Sequence, residues 1–307
     1  MHCGSATQRI DADGDVIWAF RGVIGVQNAA CGAVIGASAY HRPMVEPHGT
    51  AHDAAWTPDT LSGNPHTRGD KAERVQRMFS AIAGSYDLNN RLHSFWQDQA
   101  WRRAAVRLVR PTSADRVLDV ACGTGDLTLA FARSNPAPAA VTGLDFTAPM
   151  LDVARSKARQ SEASFVEGDA MNLPFADASF DVLSIAFGIR NVSDPARALR
   201  EFRRVLSPGG RLVILEFGEP KQGVLRWLNS LYTHRVMPLT ASIIARDRSG
   251  AYRYLPKSVA SFLEPAALAT AVADAGFAHV RQHPLTFGVC VATTARVPET
   301  TTLTDDR

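Results

Sequence analysis

From Asp70 to about Ala295, short runs of β-branched and other apolar residues alternate with stretches whose apolar positions recur every three or four residues. A short continuous apolar run suits a strand covered on both faces, whereas the three-to-four spacing lays one apolar stripe along a helix. The pattern predicts strands over 116–121, 140–145, 164–168, 180–187 and 211–217, helices over 126–134, 149–160, 195–206 and 265–275, and further strands near 278–284 and 286–294. Pro195 and Pro265 suit a first helical turn, whose amide has no partner to lose, with Asp194 and Glu264 just before them. Ser207–Pro208–Gly209–Gly210 reads as a stop and turn. Strands alternating with crossover helices predict an α/β fold, one Rossmann-like domain with a mostly parallel seven-stranded sheet and helices on both faces.

The flanks read differently. Residues 1–70 hold small residues, Pro43, Pro47, Pro58, Pro65 and scattered histidines at positions 2, 41, 48, 52 and 66, with no sustained period. They are expected to form a disordered extension, and 296–307 a disordered tail, around a domain spanning 71–295. A signal peptide over 16–39 is disfavoured because Asp11, Asp13 and Asp15 stand where positive charge belongs; a start codon assigned too far upstream is the other account. Arg21, Gln27 and Asn28 interrupt the best apolar stretch, so no bilayer-spanning run is present. With 33 basic against 30 acidic side chains, the net charge of +3 is too small for binding driven by nucleic-acid phosphates. Cys3, Cys31, Cys122 and Cys290 are scattered without a CxxC pair, which predicts neither zinc nor disulfides, no metal, and a cytoplasmic setting.

Candidate chemistry begins in LDVACGTGDL (118–127). Gly123 and Gly125 let the backbone turn sharply at the end of the first sheet strand, where doubly wound sheets bind ligands. A dinucleotide site needs a third small residue at 128, where this chain has Thr128, and its pyrophosphate would face Asp126 and Asp119. Those carboxylates repel phosphate and suit the ammonium and sulfonium of S-adenosylmethionine. Asp145 closes the second strand, where a carboxylate takes both ribose hydroxyls, and Asp169 follows the third, placed for the adenine amino group with the Ala170 amide beside it. Taken singly, Asp126 or Asp169 reads equally well as a cap or turn aspartate.

The segments FSAIAGSYDLNNRL (79–92), LDVACGTGDLT (118–128), FGIRNVSDPARALREFRRVLSPGGRLVILEF (187–217) and YRYLPKSV (252–259) resemble the ubiquinone/menaquinone biosynthesis C-methyltransferase family. The resemblance implies a class I S-adenosylmethionine-dependent methyltransferase with an N-terminal helical lid. It places donor contacts on Thr124, Asp145 and the Asp169–Ala170 pair. Where the family often has serine this chain has Ala186, which leaves only a backbone contact there, and Cys122 stands where a glycine is frequent and reads as packing. Asp98 and Gln99 replace a His-Arg pair found in ubiquinone-type members.

The implied reaction is methylation of a carbon in a polyprenylated quinol ring. Such a carbon is a weak nucleophile until a neighbouring hydroxyl loses its proton, so the site must stabilise a phenolate beside the methyl donor. Arg190 is the candidate for the phenolate, Asn191 for orienting the quinol oxygen, and Tyr86 a second catalytic candidate on the lid, which Asp87 and Asn89 would hold. A salt bridge from Arg190 to Asp194 or Glu201 is the plain alternative, as a core tyrosine is for Tyr86. No direct proton acceptor is evident in the sequence. The insertion over about 222–261 is too long for a simple connection. Val224, Leu225, Leu228, Leu231 and Tyr232 share one helical face, edged by Arg226, His234 and Arg235, which suits core packing or a peripheral contact with the inner face of the cytoplasmic membrane. Asp98–Gln99 and the ending HPLTFGV (283–289) point to demethylmenaquinol as substrate and menaquinol as product. A ubiquinone-pathway benzoquinol and a soluble small molecule are the alternatives, and a homodimer is compatible with the sequence without being legible in it.

Overall fold

The computed structural model describes residues 7–10, 16–19, 54–220, 223 and 249–299, in a chain that divides into units 1–48 and 49–307. In the first unit β1 (Thr7–Ile10) pairs antiparallel with β2 (Val16–Ala19), strands that the sequence pattern did not signal.

The second unit opens with helices α1 (Lys71–Ile82), α2 (Tyr86–His93) and α3 (Gln97–Val109). The alternating part follows as β3 (Arg116–Val120), α4 (Asp126–Ala132), β4 (Ala140–Asp145), α5 (Ala148–Lys157), β5 (Ser164–Glu167), β6 (Phe180–Ala186), α6 (Pro195–Val205) and β7 (Leu206–Phe217). Then come α7 (Ala251–Ala260), α8 (Pro265–Asp274), β8 (Ala278–Leu285) and β9 (Cys290–Arg296). The seven strands are ordered β5-β4-β3-β6-β7-β9-β8, with β9 antiparallel to both neighbours and the other pairings parallel. Each predicted strand and helix of 116–294 is present within a few residues. The exception is the SPGG segment: Leu206 already pairs with Phe180 and Arg211 with Val182, so the expected stop is a bulge inside β7.

Both sheet faces are apolar, which a parallel sheet under helices requires. Alternation decides which side chain goes where. Leu118 and Val120 face one layer with Ile185, Phe202, Ile214 and Leu268, and Val117 faces the other with Trp101, Val106, Phe131, Val182 and Val213. Each fully buried Leu, Val or Phe of this kind contributes about 1.5–3 kcal/mol. At the start of α6 the Asp194 side chain accepts from Arg197 N at 2.9 Å, a cap that satisfies one open amide ahead of Pro195.

Both flanks differ from expectation where the structure describes them. Ala55, Trp56 and Leu61 are buried in a cluster with Val75, Met78, Ile82, Met150, Ala251 and Tyr254. Trp56 stacks on Tyr254 with ring centroids 4.5 Å apart, its amide donates to Ser249 O at 3.1 Å, and Arg74 Nη1 donates to Ala55 O at 2.8 Å. His66, counted among the tail histidines, hydrogen-bonds Ser258 O at 2.8 Å, and burial lowers its pKa. So residues 54–70 belong to the packed unit; single anchors such as Trp56 hold them, and single anchors make no period. At the other end Val297 is buried and its amide donates to Gly210 O at 2.9 Å. Of the expected insertion at 222–261, the described part is Gly223 and 249–261, the latter containing α7; Val224, Leu225, Arg226, Leu228, Leu231, Tyr232, His234 and Arg235 lie outside the described residues. Among the described residues no helix is long and apolar enough to cross a membrane.

Candidate active site

The chain leaves β3 through a tight loop at the carboxyl edge of the sheet. Cys122 N donates to Leu144 O at 3.0 Å and Gly125 N to Cys122 O at 2.9 Å, closing the turn into α4. Gly125 sits at φ +80°, and a Cβ there would come within 3.0 Å of Ala154 Cβ and the Phe165 ring, so loop and α5 approach as only glycine permits. A Cβ on Gly123 would instead point into open space bounded by the Tyr86 ring at 4.0 Å.

That space is an open cleft at the carboxyl edge of the sheet. Asp145, Asp169 and Ala170 line it beside Gly123. Asp145 accepts from Gly123 N at 2.8 Å and from Thr147 N at 2.9 Å, yet burial raises its carboxyl pKa. Asp169 accepts from Met171 N at 2.9 Å. Both carboxylates accept from backbone amides and keep lone pairs for a ligand. Much of the remaining lining is apolar and aromatic, with Phe79 and Tyr86 from α1 and α2, Phe146 and Met150, and Ala186, Phe187 and Gly188 at the end of β6. Phe79 meets Tyr86 edge-on at 5.9 Å, and burial raises the Tyr86 pKa.

The structure places three predicted site residues elsewhere. Asp119 lies beneath the loop rather than in the cleft lining. Being two residues after Val117, it faces α4, and its carboxylate accepts from Thr128 Oγ1 and Ser184 Oγ, each at 2.7 Å. Burial pushes its pKa up to about 6. Asp126 is the centre of a cationic cage: it takes Arg91 Nη2 at 3.1 Å, Gln99 Nε2 at 2.9 Å and Lys157 Nζ. Burial alone would raise its pKa, but Lys157, Arg102 and Arg91 outweigh that and lower it. The Thr124 hydroxyl does not face the cleft but donates to Asp87 at 2.5 Å, and Asp87 also takes Lys157 Nζ at 2.7 Å. Asp87 therefore latches α2 to the glycine loop.

Arg190 lies in a short 3-10 turn (Ile189–Asn191) after β6 and is buried. Its Nη1 donates to Phe187 O at 2.9 Å and to Glu216 Oε1 at 2.6 Å, and its guanidinium lies 5.2 Å from the Phe217 ring centre. Its partner is thus neither Asp194, which caps α6, nor Glu201, which pairs with Arg204 at 2.8 Å. Asn191 lines the cleft and accepts from the Tyr254 hydroxyl at 2.9 Å. Lys71 Nζ donates to the carbonyls of Arg190 at 2.8 Å and Val192 at 2.6 Å, tying the turn to α1; burial, with Arg190 adding to it, lowers its pKa to about 8. Sequence reasoning missed Glu216, Tyr254, Lys71 and Lys157. One signal was available: a carboxylate closing the apolar run LVILEF. Another was lysine itself, found only at 71, 157, 221 and 257, with Lys71 and Lys157 both beside the site.

A methyltransferase complex from Haloferax volcanii, with the Trm112 activator, superposes with a TM-score of 0.53 at 20% identity, covering 72% of this chain and 98% of that one. A Thermotoga maritima S-adenosylmethionine-dependent methyltransferase gives 0.51 at 21% identity, covering 72% and 99%. These likenesses establish the class I methyltransferase fold. In sequence, demethylmenaquinone methyltransferase of Thermus thermophilus is 50% identical over 214 residues, 69% of this chain and 96% of that protein. Its Deinococcus radiodurans counterpart is 46% identical over 222 residues, 72% and 91%. Ubiquinone/menaquinone biosynthesis C-methyltransferase UbiE of Geotalea daltonii is 40% identical over 229 residues, 73% and 97%. A family model described as the ubiE/COQ5 methyltransferase family matches residues 67–296, three quarters of the chain, and the chain belongs to that family.

Proposed function

We propose that this chain methylates a ring carbon of demethylmenaquinol to give menaquinol, with S-adenosylmethionine as methyl donor. Family membership makes it a methyltransferase of quinone biosynthesis. The observation that carries the finer reading is a cleft lined both by the Asp145 and Asp169 carboxylates and by the apolar and aromatic side chains of Phe79, Tyr86, Met150 and Phe187. The carboxylates suit a polar, cationic donor and the apolar lining an aromatic ring.

S-adenosylmethionine, when bound, supplies a methyl group already activated by its sulfonium. Asp145 would take the ribose hydroxyls and Asp169 with the Ala170 amide the adenine edge. Gly123, Gly125 and the Thr124 backbone would border the methionine end, and Ala186 offers only its backbone. Asp119 acts from beneath, as a buried charge that orients Thr128 and the loop. The Tyr86 ring closes the cleft from the lid and excludes water, and Asn191, fixed by Tyr254, orients the quinol oxygen. The decisive assay supplies labelled donor with demethylmenaquinol, a ubiquinone-pathway benzoquinol, or soluble phenols. Turnover confined to the benzoquinol or to the soluble phenols refutes this assignment.

A prenylated substrate resides in the bilayer, so we place the protein peripherally at the inner membrane face. Supporting this, Trp96 at 57% and Phe287 at 73% exposure stand on loops joined through Trp101 Nε1–Thr286 Oγ1 at 2.8 Å and Thr286–Gln97 at 3.2 Å. Sedimentation with anionic vesicles tests it: loss of binding in Trp96→Ser/Phe287→Ser is expected, and no binding by the parent protein refutes it.

A further inference from the structure

The deprotonation that this reaction needs has so far had no acceptor. Arginine does not fill the role, because its guanidinium stays protonated at any pH the protein meets. Beside Arg190, however, the sheet supplies a carboxylate. Glu216 is the penultimate residue of β7, one position past the Ala186–Leu215 pair whose Ala186 lines the cleft. It therefore lies at the carboxyl edge of the sheet, behind the cleft lining, joined to it through Arg190, whose Nη1 donates both to Glu216 and to the carbonyl of the lining residue Phe187.

The pairing of Glu216 with Arg190 is incomplete on both sides. Oε1 accepts from Arg190 Nη1 at 2.6 Å and from Phe217 N at 2.8 Å, while Oε2 is buried without a hydrogen-bond partner. On Arg190, Nη1 is used and Nε is likewise buried and without a partner. Both side chains are more than nine-tenths buried. Leaving such groups unmatched is costly, more so for charged ones, so a native site that holds them open holds them for something. One free acceptor and one free donor on a single ion pair match a hydroxyl, which donates once and accepts at least once.

We propose that Glu216 Oε2 is the proton acceptor for the quinol hydroxyl, with Arg190 Nε–H donating to the same oxygen as it becomes a phenolate. This rests on the quinol reading of the cleft and assigns the base within it. The O–H bond breaks, its proton passing to Glu216 and its electron pair into the ring. The ring carbon then bonds the methyl group, whose bond to sulfur breaks with the pair left on sulfur. The proton on that carbon leaves to water, and Glu216 returns its proton to the oxygen, so each turnover releases one proton. The charged and titratable neighbours are Arg190 itself, Tyr254 from α7, Cys290 from β9, Arg102 from α3, and, around Arg190, Lys71 and His66.

Two readouts test the assignment. In turnover, Glu216→Gln is expected to lower kcat about 10²–10⁴-fold and to flatten the acid limb of the pH profile, with donor affinity by calorimetry unchanged within about threefold. A merely structural ion pair would cost thermal stability but leave the shape of the profile intact. Independently of methylation, 1-naphthol bound with the donor product serves as a photoacid: emission in the naphtholate band requires a nearby acceptor. Wild type should emit in that band and Glu216→Gln in the neutral band. Matching emission in both, with kcat within about threefold, overturns the proposal. If the variant does not fold, wild-type emission confined to the neutral band overturns it alone. Absence of demethylmenaquinol turnover by wild type counts against the substrate assignment instead, and the naphthol emission still reports on Glu216.

Discussion

Replacing Asp119 by Asn should make the ligand-free protein more stable at neutral pH. The carboxylate is wholly buried, and burial raises its pKa from the ordinary 3.8 to about 6 even though Thr128 and Ser184 both donate to it. Between those two values the folded chain binds more protons than the unfolded one, so stability falls as pH climbs from about 4 to about 6. Above pH 6 the penalty is complete. A gap of that width is worth ~3 kcal/mol at 1.36 kcal/mol per unit. Asparagine removes the charge and keeps one acceptor, but one hydroxyl must turn to accept from the new amide, which returns ~1 kcal/mol. The net gain is ~2 kcal/mol at pH 7.5, and below about pH 4, where the penalty is gone, the remaining ~1 kcal/mol cost makes the variant the less stable of the two. Urea unfolding of both proteins at a series of pH values measures it. A variant less stable than wild type at pH 7.5, or a difference that does not change with pH, would refute the argument that desolvation dominates this site. Donor affinity of the same variant should fall at least about tenfold, because the charge that strains the fold is the one that favours an ammonium nearby.

Three further outcomes are expected. Asp145→Asn should weaken donor binding by about 10–100-fold in calorimetry while thermal stability holds, since the amide oxygen still accepts from one of the Gly123 and Thr147 amides but no longer offers a charged acceptor to ribose hydroxyls. Gly125→Ala adds a Cβ 3.0 Å from Ala154 and Phe165 at φ +80°, and ~2–3 kcal/mol of strain should lower Tm by ~4–12 °C; an unchanged Tm counts against the close approach. Asp87→Ala unlatches α2 from Thr124 and Lys157, so stopped-flow should show donor entering and leaving at least about threefold faster, and unaltered rates would mean the latch does not gate the cleft.

The sheet was legible because parallel strands under helices leave a strong imprint: LDV, GLD and LVILEF are buried on both faces, and Pro195 and Pro265 mark helix starts without ambiguity. The cleft acids at 145 and 169 were legible for the same reason, since strand ends in this topology are where ligands go. What failed to show was pairing across distance. Nothing near Arg190 in sequence announces Glu216, 26 positions away on the next strand, and nothing near Asp126 announces Lys157 or Arg91. Asp119 looked like a cleft acid because its position along β3 is right; only its direction, set by alternation with Val117, turns it under the loop. Trp56 and Leu61 were read as tail because isolated anchors carry no periodicity.

Those anchors have a bearing on how the chain is cut. The family match begins at residue 67, so the stretch 54–66 lies ahead of the shared part, yet its indole covers the ring of Tyr254, whose hydroxyl fixes Asn191 in the cleft wall. Trimming the polypeptide to its shared boundary would strip a cover from one aromatic ring and slacken, through that ring, a polar group in the cleft wall. An expression fragment starting near residue 50 keeps the cover. One starting at 67 should retain the sheet and lose definition at the active cleft.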